Sequence, residues 1–178
     1  MIKTPLRVYH YTNEVPEQLK NRTQATTPNA KPSGLWVSDC DRGDGWLAFC
    51  ESEQFRYTSL KNRLLIDLDL TDILCLRSVI EIDIFTEEYG QEVEFGISPK
   101  RYIRWAAVAS SYKGILISPY QFDRRFDGIA SNWYYGWDCA SGCIWDTSAI
   151  LSHAADASWT HKGDPSETHS EVVEEATR

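Results

Sequence analysis

The chain has 178 residues, a length that suits one domain and argues against a two-domain enzyme. Hydrophobic residues make up 42% and charged residues 25%, which excludes a wholly disordered chain. With 18 Lys and Arg against 26 Asp and Glu the net charge is −8, which argues against a protein that grips nucleic-acid phosphates on a basic surface.

The charge is concentrated near the carboxyl end. From Ala154 onward the chain has six acidic and two basic residues, and few apolar ones. We therefore predict a single domain over residues 3–152, followed by a disordered acidic tail over residues 153–178. The five cysteines are odd in number and scattered, and no secretion signal or membrane-length apolar run is visible. These features predict a cytoplasmic protein with reduced thiols and no membrane partner.

The first third of the chain predicts two strands and a helix. Apolar and polar residues alternate over 6–12, and a short apolar run covers 34–38, so both are predicted strands. The polar, proline-containing stretch between them is predicted to be a long loop. Asp44 is a suitable N-cap for a predicted helix over 44–56.

The middle of the chain mixes strands and helices. Residues 64–70 alternate cleanly and 73–76 are apolar, so both are predicted to be extended. Ser78 and Glu81 have the spacing of a capping box, which favours a helix that ends at Gly90. A helix over 102–112 and a buried strand over 114–118 follow.

The segment from 132 to 146 holds an unusual density of aromatic residues. We predict a strand, a tight turn near 140–142 and a second strand there. Together the elements predict an α+β fold, with a small β-sheet core flanked by two to three helices.

Several common chemistries lack their motifs. The sequence has no glycine-rich phosphate loop, no zinc-protease motif and no nucleophile elbow. Three of the four histidines lie at or near the predicted tail, which leaves His10 as the one inside the domain. Cys139, Cys143 and His153 offer three ligands where a structural zinc site takes four, so no metal is predicted.

Three features could carry chemistry, and each has a plain structural alternative. His10 between two tyrosines could bind a ligand hydroxyl or be a satisfied core histidine. Trp36 could stack on a flat ring or be ordinary strand packing. Asp138 stands among aromatic residues, where a carboxylate is costly unless it is paired or used; its alternative is to cap its own turn.

The motifs Tyr-His-Tyr-Thr at 9–12, Gly-Leu-Trp-Val-Ser at 34–38 and the aromatic-flanked Asp138 occur in the order of the ADP-ribosyltransferases, and the chain resembles the His-Tyr-Glu branch of that family. The resemblance implies a small split-sheet fold and NAD as the substrate. Three positions depart from the family pattern: the acid is Asp138 instead of Glu, Gly136 stands two residues before it where the family often has Glu or Gln, and Trp36 stands where that branch commonly has Tyr. The layout also resembles small uncharacterised proteins of bacteriophages and their hosts.

The resemblance implies specific roles. His10 would contact the NAD ribose, Trp36 or Ser38 would hold the nicotinamide, and Asp138 would stabilise an oxocarbenium-like transition state. The expected cofactor-binding set is completed by flanking aromatic residues: Tyr9, Tyr11, Trp133, Tyr135 and Trp137. The pyrophosphate would want a cation such as Arg7, although strand alternation puts Arg7 and His10 on opposite faces. Glu51 and Glu53 on the first helix remain alternative carboxylates. The acceptor would be an unidentified macromolecule.

A different class of function uses the same aromatic residues. The chain could be a small acidic interaction protein of the phage type, docking on a host protein through a Trp/Tyr patch, because aromatic side chains dominate interface hot spots. That patch would comprise four residues: Trp133, Tyr134, Trp137 and Trp145. The third alternative is that the segment is simply core.

Overall fold

The architecture is α+β. The computed structural model describes residues 5–39, 43–56, 60–94, 99–126 and 132–160. Within them the strands are β1 (Leu6–Thr12), β2 (Leu35–Asp39), β3 (Asn62–Leu68), β4 (Ile73–Leu76), β5 (Gly90–Val93), β6 (Lys100–Ile103), β7 (Gly114–Ile117), β8 (Ser141–Ile144) and β9 (Ile150–Ala155). The helices are α1 (Trp46–Glu53), α2 (Val79–Tyr89), α3 (Trp105–Ala109) and α4 (Phe122–Arg125), with 3-10 helices at Leu70–Asp72, Asn132–Gly136 and Thr147–Ala149.

Seven strands form one curled sheet in the order β4-β7-β8-β2-β1-β3-β9, and β5 and β6 form a separate antiparallel pair. The pairing of β4 with β7 is parallel, and the other pairs of the large sheet are antiparallel. The described strands thus form one large sheet and one two-stranded sheet, and the large sheet is interrupted locally between β1 and β2, as shown below.

Side chains that alternate along the strands build a core on each face of the sheet. In β7, Ile115 and Ile117 pack with α2, α3 and several tryptophans, whereas Leu116 packs on the opposite face with β1 and β3. Because successive residues of a strand point to opposite faces, one short strand serves both cores. A strand that is buried on both faces has to be apolar throughout, as residues 114–117 are.

Most of the elements predicted before residue 100 are confirmed, with shifts of a few residues at their ends. The capping box is present: the Ser78 hydroxyl accepts the Glu81 N–H at 3.3 Å, and the Glu81 carboxylate accepts the Arg77 N–H at 2.6 Å. The bond from the Arg77 N–H, together with hydrogen bonds from Ser78 to the carboxylate, lowers the pKa of Glu81. The face shared by Ile80 and Ile84 points to solvent, since those side chains are 69% and 61% exposed.

Three predictions after residue 100 are wrong, one of them being the first strand of the 132–146 segment, where the structure has the 3-10 helix Asn132–Gly136. The stretch predicted as one helix is divided between β6 and the five-residue helix α3. The predicted turn near 140–142 is occupied by β8. Small residues there allow close strand packing: a Cβ added at Gly142 would lie 2.5 Å from the Ile115 carbonyl oxygen. Small side chains indicate a turn only where the chain reverses, and the pattern alone did not distinguish the two cases.

The folded part continues past the predicted boundary at residue 152. Strand β9 runs to Ala155 and pairs with β3, and Trp159 donates its indole N–H to the Leu60 carbonyl at 2.7 Å. The Arg63 guanidinium lies between the rings of Tyr9 and Trp159, 4.4 and 4.5 Å from their centroids, and donates to the Asp156 carboxylate at 2.8 Å. Residues 161–178 of the predicted tail lie outside the described residues.

Candidate functional site

The local interruption of the sheet lies between β1 and β2. Strand β1 pairs with β3 at seven positions, from Leu6 to Thr12, but within the described residues its pairing with β2 covers only Val8–Asp39 and Tyr9–Ser38. Beyond that point a side chain replaces the backbone ladder, because His10 Nδ1 lies 2.7 Å from the Trp36 carbonyl oxygen. Clefts open beside this gap, and His10 contributes to the lining of two of them.

One of these clefts has a volume of about 310 Å³ and is walled by aromatic rings, and we call it the aromatic cleft. Its rings are those of Tyr9, Tyr11, Trp36, Trp46 and Trp137. The Trp36 and Trp137 centroids are 5.0 Å apart, so the β2 wall and the segment that enters β8 meet ring to ring. The volume lies at the lower end of the range of small-molecule sites, about 300–1,000 Å³.

Seven of the nine residues selected from the sequence line this cleft: Tyr9, His10, Tyr11, Trp36, Ser38, Trp137 and Asp138. Trp133 and Tyr135 do not, which corrects that part of the prediction. The 3-10 helix turns Trp133 into the core, where its indole N–H donates to Thr86 Oγ1 at 2.9 Å, and turns Tyr135 outward, where it is 58% exposed. A strand, as predicted, would have put both side chains on one face.

The hydrogen bond of His10 defines which of its nitrogens is available. A carbonyl oxygen can only accept, so Nδ1 carries the hydrogen donated to Trp36 and the Nε2 of the neutral ring is an acceptor. Burial lowers the pKa of His10 below its ordinary value, against the smaller raising effect of that bond, so the ring is neutral near pH 7. Nε2 makes no hydrogen bond to any residue that the structure describes.

Asp138 is paired, as its aromatic surroundings require. Arg125 of α4 donates from Nη2 to Asp138 Oδ1 at 2.8 Å and from Nε to the Tyr135 carbonyl at 3.2 Å. Within the described chain the other carboxylate oxygen, Oδ2, makes no hydrogen bond. No sequence signal connects positions 125 and 138, so this pairing could not be predicted from the sequence.

Ser38 has a structural contact in place of a free hydroxyl. Its Oγ accepts the Trp46 N–H at 2.7 Å, which fixes the first residue of α1 at the cleft. The preceding residues are tied to β8, since the Asp44 carbonyl accepts the Ala140 N–H at 2.8 Å. Asp44 itself is not the N-cap; that position is Gly45. These contacts place Trp46 at the cleft, a residue that the sequence motifs did not single out.

The cations of the cleft differ from the expected one. Arg7 forms a paired contact with Asp67, Nε to Oδ1 at 2.8 Å and Nη2 to Oδ2 at 3.0 Å, and does not line the cleft. Lys31 and Arg56 line it instead. Neither belongs to a sequence motif, because each reaches the cleft from a loop.

The Cys139 thiol and the carboxylates of α1 are not suited to catalysis at the cleft. The Cys139 thiol lines the cleft, but burial raises its pKa to about 12, so it is protonated and not nucleophilic near neutral pH. The alternative carboxylates Glu51 and Glu53 are exposed on α1 and do not line the cleft. Asp138 is therefore the carboxylate that the fold brings to the rings.

The remaining metal-ligating side chains, thiols and helices show no further site among the described residues. Within the described residues no group of three or more His, Cys, Asp and Glu side chains is arranged to hold a metal ion. Cys50, Cys75, Cys139 and Cys143 are free thiols. Among the described helices none combines the length and apolar character needed to cross a bilayer.

The patch proposed for an interaction protein is not on the surface. Trp133, Tyr134, Trp137 and Trp145 are all at most 4% exposed. The exposed rings lie next to them, in α4 and the 3-10 helix: Phe122 and Phe126 are 5.3 Å apart, and Phe126 is 6.4 Å from Tyr135. We call these three residues the outer ring patch.

Comparison of the chain with protein-family models, with curated proteins and with solved structures finds no match. The prediction of an ADP-ribosyltransferase therefore rests on the three sequence motifs and on the positions of their residues in the structure.

Proposed function

We propose that the aromatic cleft binds NAD and that the chain transfers the ADP-ribosyl group of NAD to a macromolecular acceptor. The observation that carries the proposal is a convergence: His10, Trp36 and Asp138, which are separated by up to 128 positions in sequence, line one cleft. These are the residues on which the resemblance depends.

The geometry supports specific roles. Trp36, backed by Trp137 at 5.0 Å, offers a flat surface on which the nicotinamide ring can stack. The free Nε2 of neutral His10 can accept a hydrogen bond from a ribose hydroxyl. The Oδ2 of Asp138 can face the positive charge that develops on the ribose, while Arg125 holds Oδ1 in place.

The reaction balances with these groups alone. The bond between the ribose carbon and the nicotinamide nitrogen breaks, and its electron pair leaves with nicotinamide. A lone pair of the acceptor then forms the new bond to the same carbon, and the acceptor loses its proton to solvent. Asp138 stabilises the charge between these steps, and the ring walls exclude water that would compete with the acceptor.

The first test measures thermal unfolding of the full chain with and without NAD. A ligand at 100 times its dissociation constant adds about 2.7 kcal/mol to a folded protein, and in a domain of this size we expect a rise of ~5–10 °C in Tm. Asp138→Asn should keep this rise but lose the release of nicotinamide followed by chromatography. Asp123→Asn, an exposed aspartate on α4, is the matched control and should keep both. Absence of a shift at millimolar NAD would contradict the proposal.

The outer ring patch supports a second candidate, an interaction protein that docks on a host protein. Three adjoining exposed aromatic residues are more than scattered surface hydrophobicity, and aromatic residues are enriched at interface hot spots. The test is a binding partner identified with the unaltered chain. The doubly substituted Phe122→Ser, Phe126→Ser chain should lose that partner and keep any response to NAD.

A further inference from the structure

Lys31 is a cation at the aromatic cleft without a carboxylate partner among the described residues. Its ammonium lies 5.2 Å from the centroid of the Trp36 ring, over which it is placed. Three other cations of the chain have carboxylate partners: Arg63 with Asp156, Lys113 with Asp72, and Arg125 with Asp138. Because Lys31 has no such partner among the described residues, its ammonium can pair with an anion that enters the ring-lined cleft.

The backbone leaves room for this side chain at one position. A Cβ added at Gly136 would lie 3.2 Å from Lys31 Cε and 3.9 Å from its Nζ. The lysine therefore lies against the last residue of the 3-10 helix and beside the Trp36 ring, which defines where the ammonium sits although the residue is exposed. Any larger residue at position 136 would push against it.

The charged side chains at the cleft differ in whether they are paired. Among the described residues the lining includes the carboxylate Asp138, which is paired with Arg125, and the ammonium of Lys31, which has no carboxylate partner. His10 adds no charge because burial lowers its pKa. An anionic group that enters the cleft is therefore attracted locally, and the rings lower the effective dielectric around it.

We propose that Lys31 binds a phosphate group of the ligand in the aromatic cleft, and that the cleft thereby selects ligands in which a flat ring is joined to a phosphate or pyrophosphate. The inference deepens the proposed function and rests on it for the identity of NAD. It adds a binding residue, Lys31, and a position that accommodates it, Gly136. It also replaces the cation expected from the sequence, Arg7, whose guanidinium binds Asp67.

The test compares two ligands that differ by one phosphate. Calorimetric titrations would use nicotinamide mononucleotide, nicotinamide riboside and NAD with the full-length chain. Lys31→Met should lower the affinity for the mononucleotide and for NAD about three- to tenfold, the range of one charge-assisted contact in a solvent-exposed setting. The affinity of the riboside should not change. Lys31→Arg should restore most of the loss, and Lys20→Met, an exposed lysine of the same loop, should have no effect.

A variant at Gly136 helps to distinguish a phosphate contact of Lys31 from an indirect effect of Lys31 on Trp36. In Gly136→Ala the added Cβ would require Lys31 Cε to shift by a few tenths of an ångström, so the affinity for the mononucleotide should fall less than in Lys31→Met, and the double variant should lose no more than Lys31→Met alone. Equal weakening of riboside and mononucleotide by Lys31→Met would overturn the inference, since the lysine would then act only by supporting Trp36.

The two proposals fail in different ways. Binding of NAD that is unaffected by Lys31→Met would overturn the phosphate contact and leave the proposed function standing. Binding of ADP but not of NAD, with the same dependence on Lys31, would support the phosphate contact and contradict the transferase. A chain that binds none of these ligands would contradict both.

Discussion

The aromatic residues form two groups with different uses. In the buried group, indole N–H groups find acceptors: Trp105 donates to Asn29 at 3.0 Å and Trp145 to Tyr112 at 2.6 Å. In the cleft group Tyr9, Tyr11, Trp36 and Trp46 are partly open to solvent. Trp137, which touches both Trp36 and Trp133, is 1% exposed and joins the two groups, and its buried N–H has no partner among the described residues. A packed and hydrogen-bonded ring stabilises the fold, whereas a partly open ring at the cleft is the kind that the proposed function assigns to ligand binding.

The largest effect is expected in the buried group. Trp105→Ala would remove a side chain that is 1% exposed and leave a cavity, which costs about 3–5 kcal/mol. In a domain of this size we expect a fall of about 6–20 °C in Tm, measured by circular dichroism. Trp105→Phe keeps most of the volume and should recover part of the loss. If Trp105→Ala lowered the Tm by less than a substitution in the cleft group, the division into two groups would be contradicted.

The next effect separates binding from stability. Trp36→Ala should weaken NAD at least about tenfold because the stacking surface is lost, a change of about 1.4 kcal/mol or more. Its Tm should fall less than that of Trp105→Ala, since Trp36 is only partly buried. Trp36→Phe is the control that retains a ring. Calorimetry and thermal unfolding of the same samples provide both readings, and unchanged NAD affinity in Trp36→Ala would remove this ring from the site.

The third effect depends on pH and concerns the ion pair between Asp156 and Arg63, whose guanidinium packs on the ring of Tyr9. Hydrogen bonds from Ser158 and from Arg63 lower the pKa of Asp156 to about 2. A carboxyl with a lowered pKa contributes stability above the ordinary value of about 3.9, and the contribution disappears as the pH falls through about 2. The Tm difference between the natural chain and Asp156→Asn should thus be constant above pH 5 and shrink toward pH 2. A difference that grows on acidification would have the wrong sign.

The smallest effect is expected on the outer ring patch. Tyr135→Ala removes a ring that is 58% exposed, so the change in stability should stay within about 0.5 kcal/mol. The affinity for NAD should also be unchanged, because Tyr135 does not line the cleft. A substantial loss of either property would show that the patch supports Arg125 more strongly than its exposure indicates.

The sequence predicted what local patterns determine. Alternation identified β1 and β3, and the Ser78 to Glu81 spacing identified the start of α2. His10, Trp36 and Asp138, which were selected from the motifs, line one cleft. It could not predict what distant segments decide. The partner of Asp138, the approach of Lys31 to Trp36 and the folding of residues 153–155 as a strand each depend on tertiary contacts that leave no periodic signal.

The gap between β1 and β2 has a thermodynamic consequence. In most sheets the strands lie open only at the outer edges, but here β1 and β2 border an opening inside the sheet. Each of these two strands is hydrogen-bonded along its other side, β1 to β3 and β2 to β8. The walls are thus already fixed in place when a ligand arrives. Little ordering entropy is spent on binding, so the contacts of a small ligand translate more fully into affinity than they would on a loop.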